Sequence, residues 1–476
     1  MTGGNSIPKH QRGAEALQHV NPIVKNADLL ALIGNTPIVE LKSFDTGPCR
    51  LFVKLESQNP SGSIKDRIAV SMIGAAERSG ALKPGGRIIE ATAGNTGLAL
   101  ALVAIRRGYR LTLVIPDKMS REKIAHLRAL GTEVVLTRSD VPKGHPDYYQ
   151  DLAIRIAGET GAFYTDQFNN PNNPAAHERT TGPEILAQLT GNVDAVVAGV
   201  GSGGTITGLS RYFAKVSPKT EMVLADPKGS ILADYIHTGD IGEAGSWLVE
   251  GIGEDFIPPV SDLSRVRKAY TISDGESFAA ARTLLKSEGL LAGSSSGTLL
   301  AAALRYCREQ REPKRVVTFV CDSGNKYLSK MFDDRWMTEQ GLLHRPAFGD
   351  LRDLIARLHD EGAVVTVGPD DTLHTAYTRM KLYDVSQVPV VDGHRCVGLL
   401  DESDMLVALT DGTLDFNLPV KRAMTDKLVT VQPDTPPERL LPLFDRGLIA
   451  LVVDGERFLG LITRIDLLNH LRRKIS

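Results

Sequence analysis

Between Leu51 and about Val320, short apolar runs alternate with amphipathic helical stretches, a pattern that predicts a parallel sheet with helices on both faces. Arg87 to Glu90 is short and β-branched, Thr96 to Arg107 carries alanine and leucine at helical spacing, and Arg110 to Ile115 returns to the strand pattern. Together they make one strand-helix-strand unit. Ser120 is placed to cap a helix that runs to Leu130 and stops at Gly131, after which Glu133 to Leu136 rejoins the sheet. Asp194 to Ala198 is a strand, a glycine loop follows, and Thr205 opens a helix that leads to the strand Met222 to Ala225. Arg315 to Val320 is the last buried strand of the series.

After Trp336 the pattern changes: Gly341 to Arg357 mixes charge, proline and glycine without a clear strand. Beyond it lies an internal repeat. Val365-Thr366-Val367, Pro369-Asp370, Val390-Val391-Asp392-Gly393 and Gly398-Leu399-Leu400 recur as Val429-Thr430-Val431, Pro433-Asp434, Val452-Val453-Asp454-Gly455 and Gly460-Leu461-Ile462. The expected organisation is an N-terminal arm over 1–26, a large α/β unit over 27–345, a linker over 346–360, and repeats over 361–415 and 420–476.

Composition narrows the function classes. The 476 residues are 42% hydrophobic and 24% charged, which is ordinary globular material, and the formal charge of -2 offers no general attraction for nucleic acid or an anionic membrane. Small-molecule partners fit better. Cys49, Cys307, Cys321 and Cys396 lie far apart with no CxxC pair, which argues against a zinc knuckle or a disulfide framework and points to a reducing cytoplasm. Met1 to Asn26 is polar with no apolar core of signal-peptide length, and no later run approaches a membrane span.

Candidate chemistry sits at the strand-to-helix turns. In Ser61-Gly62-Ser63-Ile64-Lys65-Asp66-Arg67 a polar run gives way to an apolar helical face over Ile68 to Ala76, which puts Lys65 at the junction. Desolvation lowers a lysine's pKa, and the unprotonated amine can form a Schiff base with a carbonyl cofactor such as pyridoxal phosphate. A lone lysine is otherwise a solvated surface group, so companions must decide. Glu90-Ala91-Thr92-Ala93-Gly94-Asn95-Thr96-Gly97 follows a strand and opens a helix. Its small residues let backbone amides approach the α-carboxylate of an amino acid, with the helix dipole behind them, and Asn95 is placed to bond a hydroxyl of a ring cofactor. The alternative is a tight turn with glycine for conformational reasons.

In Gly199-Val200-Gly201-Ser202-Gly203-Gly204-Thr205, bare amides and a hydroxyl can surround a phosphate. The spacing is not GxGxxG and no GK[ST] is present, so a lone monophosphate fits better than a dinucleotide or a nucleoside triphosphate. A glycine-rich packing turn is the alternative. Gly293-Ser294-Ser295-Ser296-Gly297-Thr298 offers hydroxyls before the helical Leu299 to Arg311, and helix capping would explain them too. A serine facing a pyridine nitrogen leaves the ring unprotonated, which favours β-elimination and replacement over a long-lived carbanion. His126 and His177 have no clustered partners and are read as capping or surface groups rather than metal ligands.

In this order the four motifs resemble the fold-type II pyridoxal-phosphate enzymes, the family of cysteine synthase, tryptophan synthase β and serine dehydratase. Ile115-Pro116-Asp117-Lys118-Met119-Ser120, Asn173-Pro174-Ala175-Ala176-His177, Val249-Glu250-Gly251-Ile252-Gly253, Asp334-Arg335-Trp336-Met337 and the C-terminal repeat extend the resemblance over nearly the whole chain. It implies an α/β fold of twisted, mostly parallel sheets like tryptophan synthase β, followed by an α+β pair similar to the tandem CBS-domain, or Bateman, module. By the resemblance Lys65 is the catalytic Schiff-base lysine, Asn95 meets the ring hydroxyl, Gly201, Ser202, Gly203, Gly204 and Thr205 cradle the phosphate, and Ser295 faces the ring nitrogen. Thr92, Ala93, Gly94, Thr96 and Gln167 occupy the substrate-carboxylate positions, and Gly251 and Gly253 line the second-substrate side.

The implied reaction is β-replacement on L-serine by L-homocysteine, with hydrogen sulfide released when cysteine takes the place of serine. The implied assembly is a cytoplasmic homodimer or higher oligomer. A cysteine synthase using O-acetylserine and a nucleotide sensor on an inactive scaffold are the rivals. In the second repeat Thr463 and Asp466 match positions that contact phosphate and ribose of an adenosyl ligand, whereas Asp401 stands at the threonine position of the first and would repel a phosphate. A purely structural or dimer-forming role for the repeats is the alternative. Animal members of the family hold a haem through an N-terminal Cys and His, but here no cysteine precedes Cys49, so no haem is expected. Ala93 replaces a usual serine of those enzymes and Glu254 a usual tyrosine.

Overall fold

The computed structural model describes residues 28–475, apart from 93, 118, 120, 142–143, 344–347, 361, 363 and 411–414. The N-terminal arm expected over 1–26 lies outside the described residues. The chain forms two units, Met1–Met331 and Phe332–Ser476.

Strands of the first unit are β1 (Ile38–Glu40), β2 (Arg50–Leu55), β3 (Arg87–Ala91), β4 (Arg110–Pro116), β5 (Glu133–Thr137), β6 (Phe163–Tyr164), β7 (Ala195–Ala198), β8 (Glu221–Pro227), β9 (Val266–Ile272) and β10 (Arg315–Val320). One sheet has the order β1-β2-β10-β7-β8-β9, parallel throughout except for β1 at the edge; the other has the order β5-β4-β3-β6 and is wholly parallel. A parallel strand covered by helices on both faces must be apolar on both, hence the unbroken apolar runs. All of β7 and all but the first residue of β10 are buried. Ile73 from the helix Lys65–Ser79, Leu98 and Val103 from the helix Asn95–Arg107, and Ile88 and Leu113 from the sheet share one core. Each such side chain, once buried, contributes roughly 1.5–3 kcal/mol.

The expected strands hold, with ends moved by a residue or two. The helix expected to open at Thr205 begins at Gly204, and the serines expected to precede a helix form the first turn of Ser294–Arg308.

In the second unit β11 (Gln387–Asp392) pairs antiparallel with β12 (Arg395–Asp401). β13 (Thr430–Val431) runs parallel to β14 (Ala450–Asp454), which pairs antiparallel with β15 (Arg457–Ile462). The internal repeat is visible down to its irregularities. Both hairpins slip register at the same point, Val390/Val391 and Val452/Val453, and a parallel bridge from Val367 to Val390 stands where β13 stands in the second copy. The stretch expected as a linker over 346–360 is not a spacer. Leu351, Leu354 and Ile355 are buried in one core with Leu440, Ile462 and Leu467, because their apolar spacing completes the second repeat.

Candidate active site

Lys65 is the first residue of its helix, and the loop before it is laced to the chain that leaves β10. Ile64 N–H donates to Cys321 O (2.9 Å), Ser323 N–H donates to Gly62 O (3.1 Å), and Ser63 and Asp322 form an antiparallel bridge. The lysine is enclosed by protein, with part of its side chain open to the cleft. Burial lowers its pKa, and Cys321, Asp322 and Glu254 oppose that only in part. Burial thus shifts the lysine towards its unprotonated form, the form in which an amine is a nucleophile.

Asn95 opens the next helix. Its amide nitrogen donates to Asp322 Oδ2 (2.8 Å) and its oxygen accepts from Lys326 Nζ (2.6 Å). Tyr327 also donates to Asp322 Oδ2 (2.8 Å), while Asp322 Oδ1 is buried without a partner. Ser295, on the first turn of Ser294–Arg308, lies against Cys321, whose thiol burial pushes up to about 12 with the Ser295 hydroxyl pulling the other way.

The carboxylate loop is organised from behind. The Thr96 hydroxyl donates to Gln167 Oε1 (2.8 Å), and Gly94 N–H to the Thr92 hydroxyl (3.4 Å). Ala93 lies outside the described residues. Glu90, fully buried at the end of β3, accepts from Ala91 N–H (2.8 Å), the Thr165 hydroxyl (2.5 Å) and Gln167 N–H (3.2 Å). Burial outweighs those three bonds and pushes the carboxyl up to about 7 from its ordinary 4.5. With the folded pKa above the unfolded one, this contribution to stability is fully present below about pH 4.5. It is lost as pH rises through 7, by about 3 kcal/mol. The Tm of the wild type should therefore fall relative to Glu90→Gln between about pH 5 and about pH 8.5. Parallel Tm profiles would show that this carboxyl does not titrate there.

The glycine loop after β7 turns through Gly203 at φ +83°, where an L side chain is strained, and a Cβ on Gly204 would collide with Asn173 Oδ1. Asn173 donates to Gln167 O (2.8 Å) and Ser202 Oγ (2.9 Å), and its own Oδ1 is buried without a partner. The Thr205 hydroxyl bonds His177 Nε2 (3.2 Å). His177, expected as a capping or surface group, is buried and opens a π-helical turn over His177–Thr181.

Gly251 and Gly253 lie beside the same loop: a Cβ on Gly201 would strike Gly251 O, and Gly253 N–H donates to Val200 O (2.8 Å). Glu250 pairs with Lys123 and with Lys330 (2.7 Å), and its backbone N–H donates to Ser294 Oγ (3.0 Å). Glu254 stands close enough to Lys65 for its charge to be felt; burial, then Asp255 and Asp226, raise its pKa well above the carboxylate range. Thr463 and Asp466 belong to the other unit: the Thr463 N–H (2.8 Å) and hydroxyl (2.5 Å) both donate to Asp466 Oδ2. Among the described residues no His, Cys, Asp and Glu cluster could hold a metal ion, and no helix is long and apolar enough to cross a membrane.

Sequence reasoning missed Asp322, Lys326, Tyr327, Lys123 and Lys330. For the first three a signal was present, since the segment after a buried parallel strand faces the ligand side of the sheet.

A family profile described as pyridoxal-phosphate dependent enzyme matches residues 29–322, and CBS domain profiles match 353–411 and 420–473. The chain is 41% identical to cystathionine beta-synthase of Rattus norvegicus over 398 residues, 81% of this chain and 70% of the relative. It is 42% identical to cysteine synthase A of Escherichia coli (strain K12) over 314 residues, 65% of this chain and 96% of the relative. The crystal structure of O-acetylserine dependent cystathionine beta-synthase from Helicobacter pylori matches with a TM-score of 0.60 at 38% identity, covering 65% of this chain and 99% of that one. The residues present fit the cofactor. A lysine whose pKa burial lowers and a glycine loop opening a helix N-terminus suit a carbonyl cofactor with an anionic tail, while the unpartnered acceptors Asn173 Oδ1 and Asp322 Oδ1 are left to take hydrogen-bond donors. The chain belongs to the fold-type II pyridoxal-phosphate dependent enzymes, and within them to the cystathionine beta-synthase type, β-replacement catalysts with a C-terminal pair of CBS domains.

Proposed function

We propose that this enzyme condenses L-serine with L-homocysteine to give L-cystathionine and water, and releases hydrogen sulfide when cysteine replaces serine. The observation that carries the reading is Lys65 at a helix start with its pKa lowered by burial, on a loop bonded to the Cys321–Ser323 segment, from which Asp322 also holds Asn95. Bound pyridoxal phosphate supplies an electron sink that acidifies the α-proton of an attached amino acid. Lys65 would hold the cofactor, and its free amine would take the proton from the substrate's Cα and return one to the departing β-hydroxyl. Asn95 orients the ring through its hydroxyl, Ser295 faces the ring nitrogen, and Gly201, Ser202, Gly203, Gly204 and Thr205 hold the phosphate. Thr92, Ala93, Gly94, Thr96 and Gln167 bind the substrate carboxylate, and Gly251 and Gly253 leave room for the incoming thiol.

Serine and homocysteine are favoured because the rat relative matches over more of the chain than the catalytic unit alone, whereas the match to cysteine synthase A spans 65% of this chain. The O-acetylserine dependence named for the Helicobacter pylori enzyme makes activated serine the competing donor. A homodimer is proposed on the family resemblance, with Leu29 and Leu32 as exposed apolar groups at the start of the described chain. No haem is proposed, because no cysteine precedes Cys49 and that thiol is buried against Cys307 O (3.5 Å). The four described cysteines are free thiols, in keeping with the cytoplasm. In the second repeat Thr463 and Asp466 would contact the phosphate and ribose of an adenosyl ligand.

The test is a rate matrix of serine, O-acetylserine and cysteine against homocysteine and sulfide, run with and without S-adenosylmethionine or adenine nucleotides. Serine with homocysteine should be the fastest pair, and an adenosyl compound should change its rate. Preference for O-acetylserine with sulfide overturns the substrate assignment, and indifference to every adenosyl compound overturns the ligand assignment for the repeats.

A further inference from the structure

The segment Asn172–Gln188 is helical throughout but not uniformly so. An α-helical turn over Asn172–Ala176 passes into the π-helical His177–Thr181 and then into the α-helix Gly182–Gln188. A π turn costs hydrogen-bond geometry and recurs at functional sites. Its first and last residues, His177 and Thr181, are four apart, a spacing that puts them on one side of the helix. Here Thr181 Oγ1 meets His177 Nδ1 at 2.9 Å, and His177 Nε2 reaches Thr205 Oγ1 at 3.2 Å. Thr181 and His177 are buried, whereas Thr205 is half-buried at the glycine loop.

The proton positions follow from what each atom can bond. Burial, with Arg67 and Lys65 nearby, holds the His177 pKa well below its ordinary value, so the imidazole is neutral and only one nitrogen carries hydrogen. Among the described residues the Thr181 hydroxyl has His177 Nδ1 as its hydrogen-bond partner. A buried O–H without an acceptor costs roughly 1–3 kcal/mol, so Thr181 donates to Nδ1 and the ring proton sits on Nε2. Nε2–H then donates to Thr205 Oγ1, and the Thr205 O–H is left to point into the glycine loop as a donor. In the other tautomer Thr205 would donate to Nε2 and turn lone pairs towards the loop, repelling an anion.

We propose that His177 and Thr181 are positioning residues whose hydrogen-bonded chain fixes the Thr205 hydroxyl as a donor to the cofactor's phosphate. This rests on the reading of Gly201 to Thr205 as the phosphate cradle.

The test measures pyridoxal phosphate binding to apoenzyme by fluorescence titration and the 31P chemical shift of the bound cofactor. Thr181→Val should weaken binding about 10-fold or more and move the 31P signal, whereas Thr181→Ser should stay within about threefold of wild type. Thr205→Val should weaken binding at least as much as Thr181→Val, and the double variant no more than Thr205→Val alone, because Thr181 acts through Thr205. Wild-type binding by Thr181→Val with a weakened Thr205→Val overturns the proposal and leaves the cradle standing. Wild-type binding by Thr205→Val overturns the cradle itself. An equal loss from Thr181→Val in both backgrounds means a merely structural role and also overturns the proposal. Should Thr181→Val not yield folded apoenzyme, Thr181→Ala deletes the same hydroxyl and carries the same expectations.

Discussion

Lys65→Ala is expected to lower turnover by at least about four orders of magnitude while leaving the fold intact. The loss is expected to be large because, on the proposed reading, one amine both holds the cofactor and moves the proton at Cα. The fold should survive because the loop is fixed by backbone bonds to Cys321 and Ser323 rather than by the lysine's side chain. Burial of the lysine opposes its charge, so its removal is expected to leave Tm unchanged or slightly raised. Lys65→Arg should fail as badly, since a guanidinium stays protonated and cannot serve as a base. Borohydride reduction of the holoenzyme followed by peptide mapping should place the pyridoxyl tag on residue 65. A tag on another amine, or wild-type turnover by Lys65→Ala, would sink the assignment.

Arg67→Met is expected to cost about 3–5 kcal/mol, enough to lower Tm by roughly 5 °C in a unit of this size. Two residues beyond the lysine, Arg67 donates to Glu56 Oε1 and Oε2 and to Glu184 Oε1 and Oε2, all at 2.7 Å. Lys54 Nζ completes the network with Glu184 Oε2 at 2.9 Å and Thr36 O at 2.8 Å. Two cations balance two anions in a nearly dry interior. Burial alone would raise the Glu184 pKa, but hydrogen bonds and charge from Arg67, then Lys54, take it down to about 2. The stability it contributes is therefore present above its ordinary 4.5 and lost as pH falls through about 2. Without Arg67, two carboxylates face one lysine, and the cost is that of uncompensated buried charge rather than of a lost contact. Arg67→Met combined with Glu184→Gln should recover part of the loss. A Tm within about 2 °C of wild type for Arg67→Met would show that the network relaxes into water.

The architecture was readable because a covered parallel strand has to be apolar along its whole length and the turn at its end has to be small. Arg315–Val320 was expected and found over the same residues, and Lys65, Asn95 and Gly201 each stand at or just before a helix start, as expected. What stayed hidden depends on pairing between distant segments. Asp322, Lys326 and Tyr327 look like a solvated turn until the bridge between Ser63 and Asp322 carries them to Asn95. His177, read as a capping or surface group for want of clustered partners, is buried with its ring nitrogens bonded to Thr181 and to the distant Thr205, partners that a scan for metal ligands does not reveal. The apolar residues at 351, 354 and 355 were too few to announce a buried element among charges and glycine, although they complete a core.

The pairing of β2 with β10 also sets when the enzyme can become competent during its synthesis. In the six-stranded sheet β2 is flanked by β1 and β10, whose partner residues lie more than two hundred positions later. A nascent chain that has emerged only as far as β9 already carries the lysine, the carboxylate loop and the glycine loop, yet lacks the segment to which the lysine's loop is tied. Vitamin capture is thus expected to come late, once the large unit has almost wholly left the ribosome, and until then β2 lacks its neighbour β10.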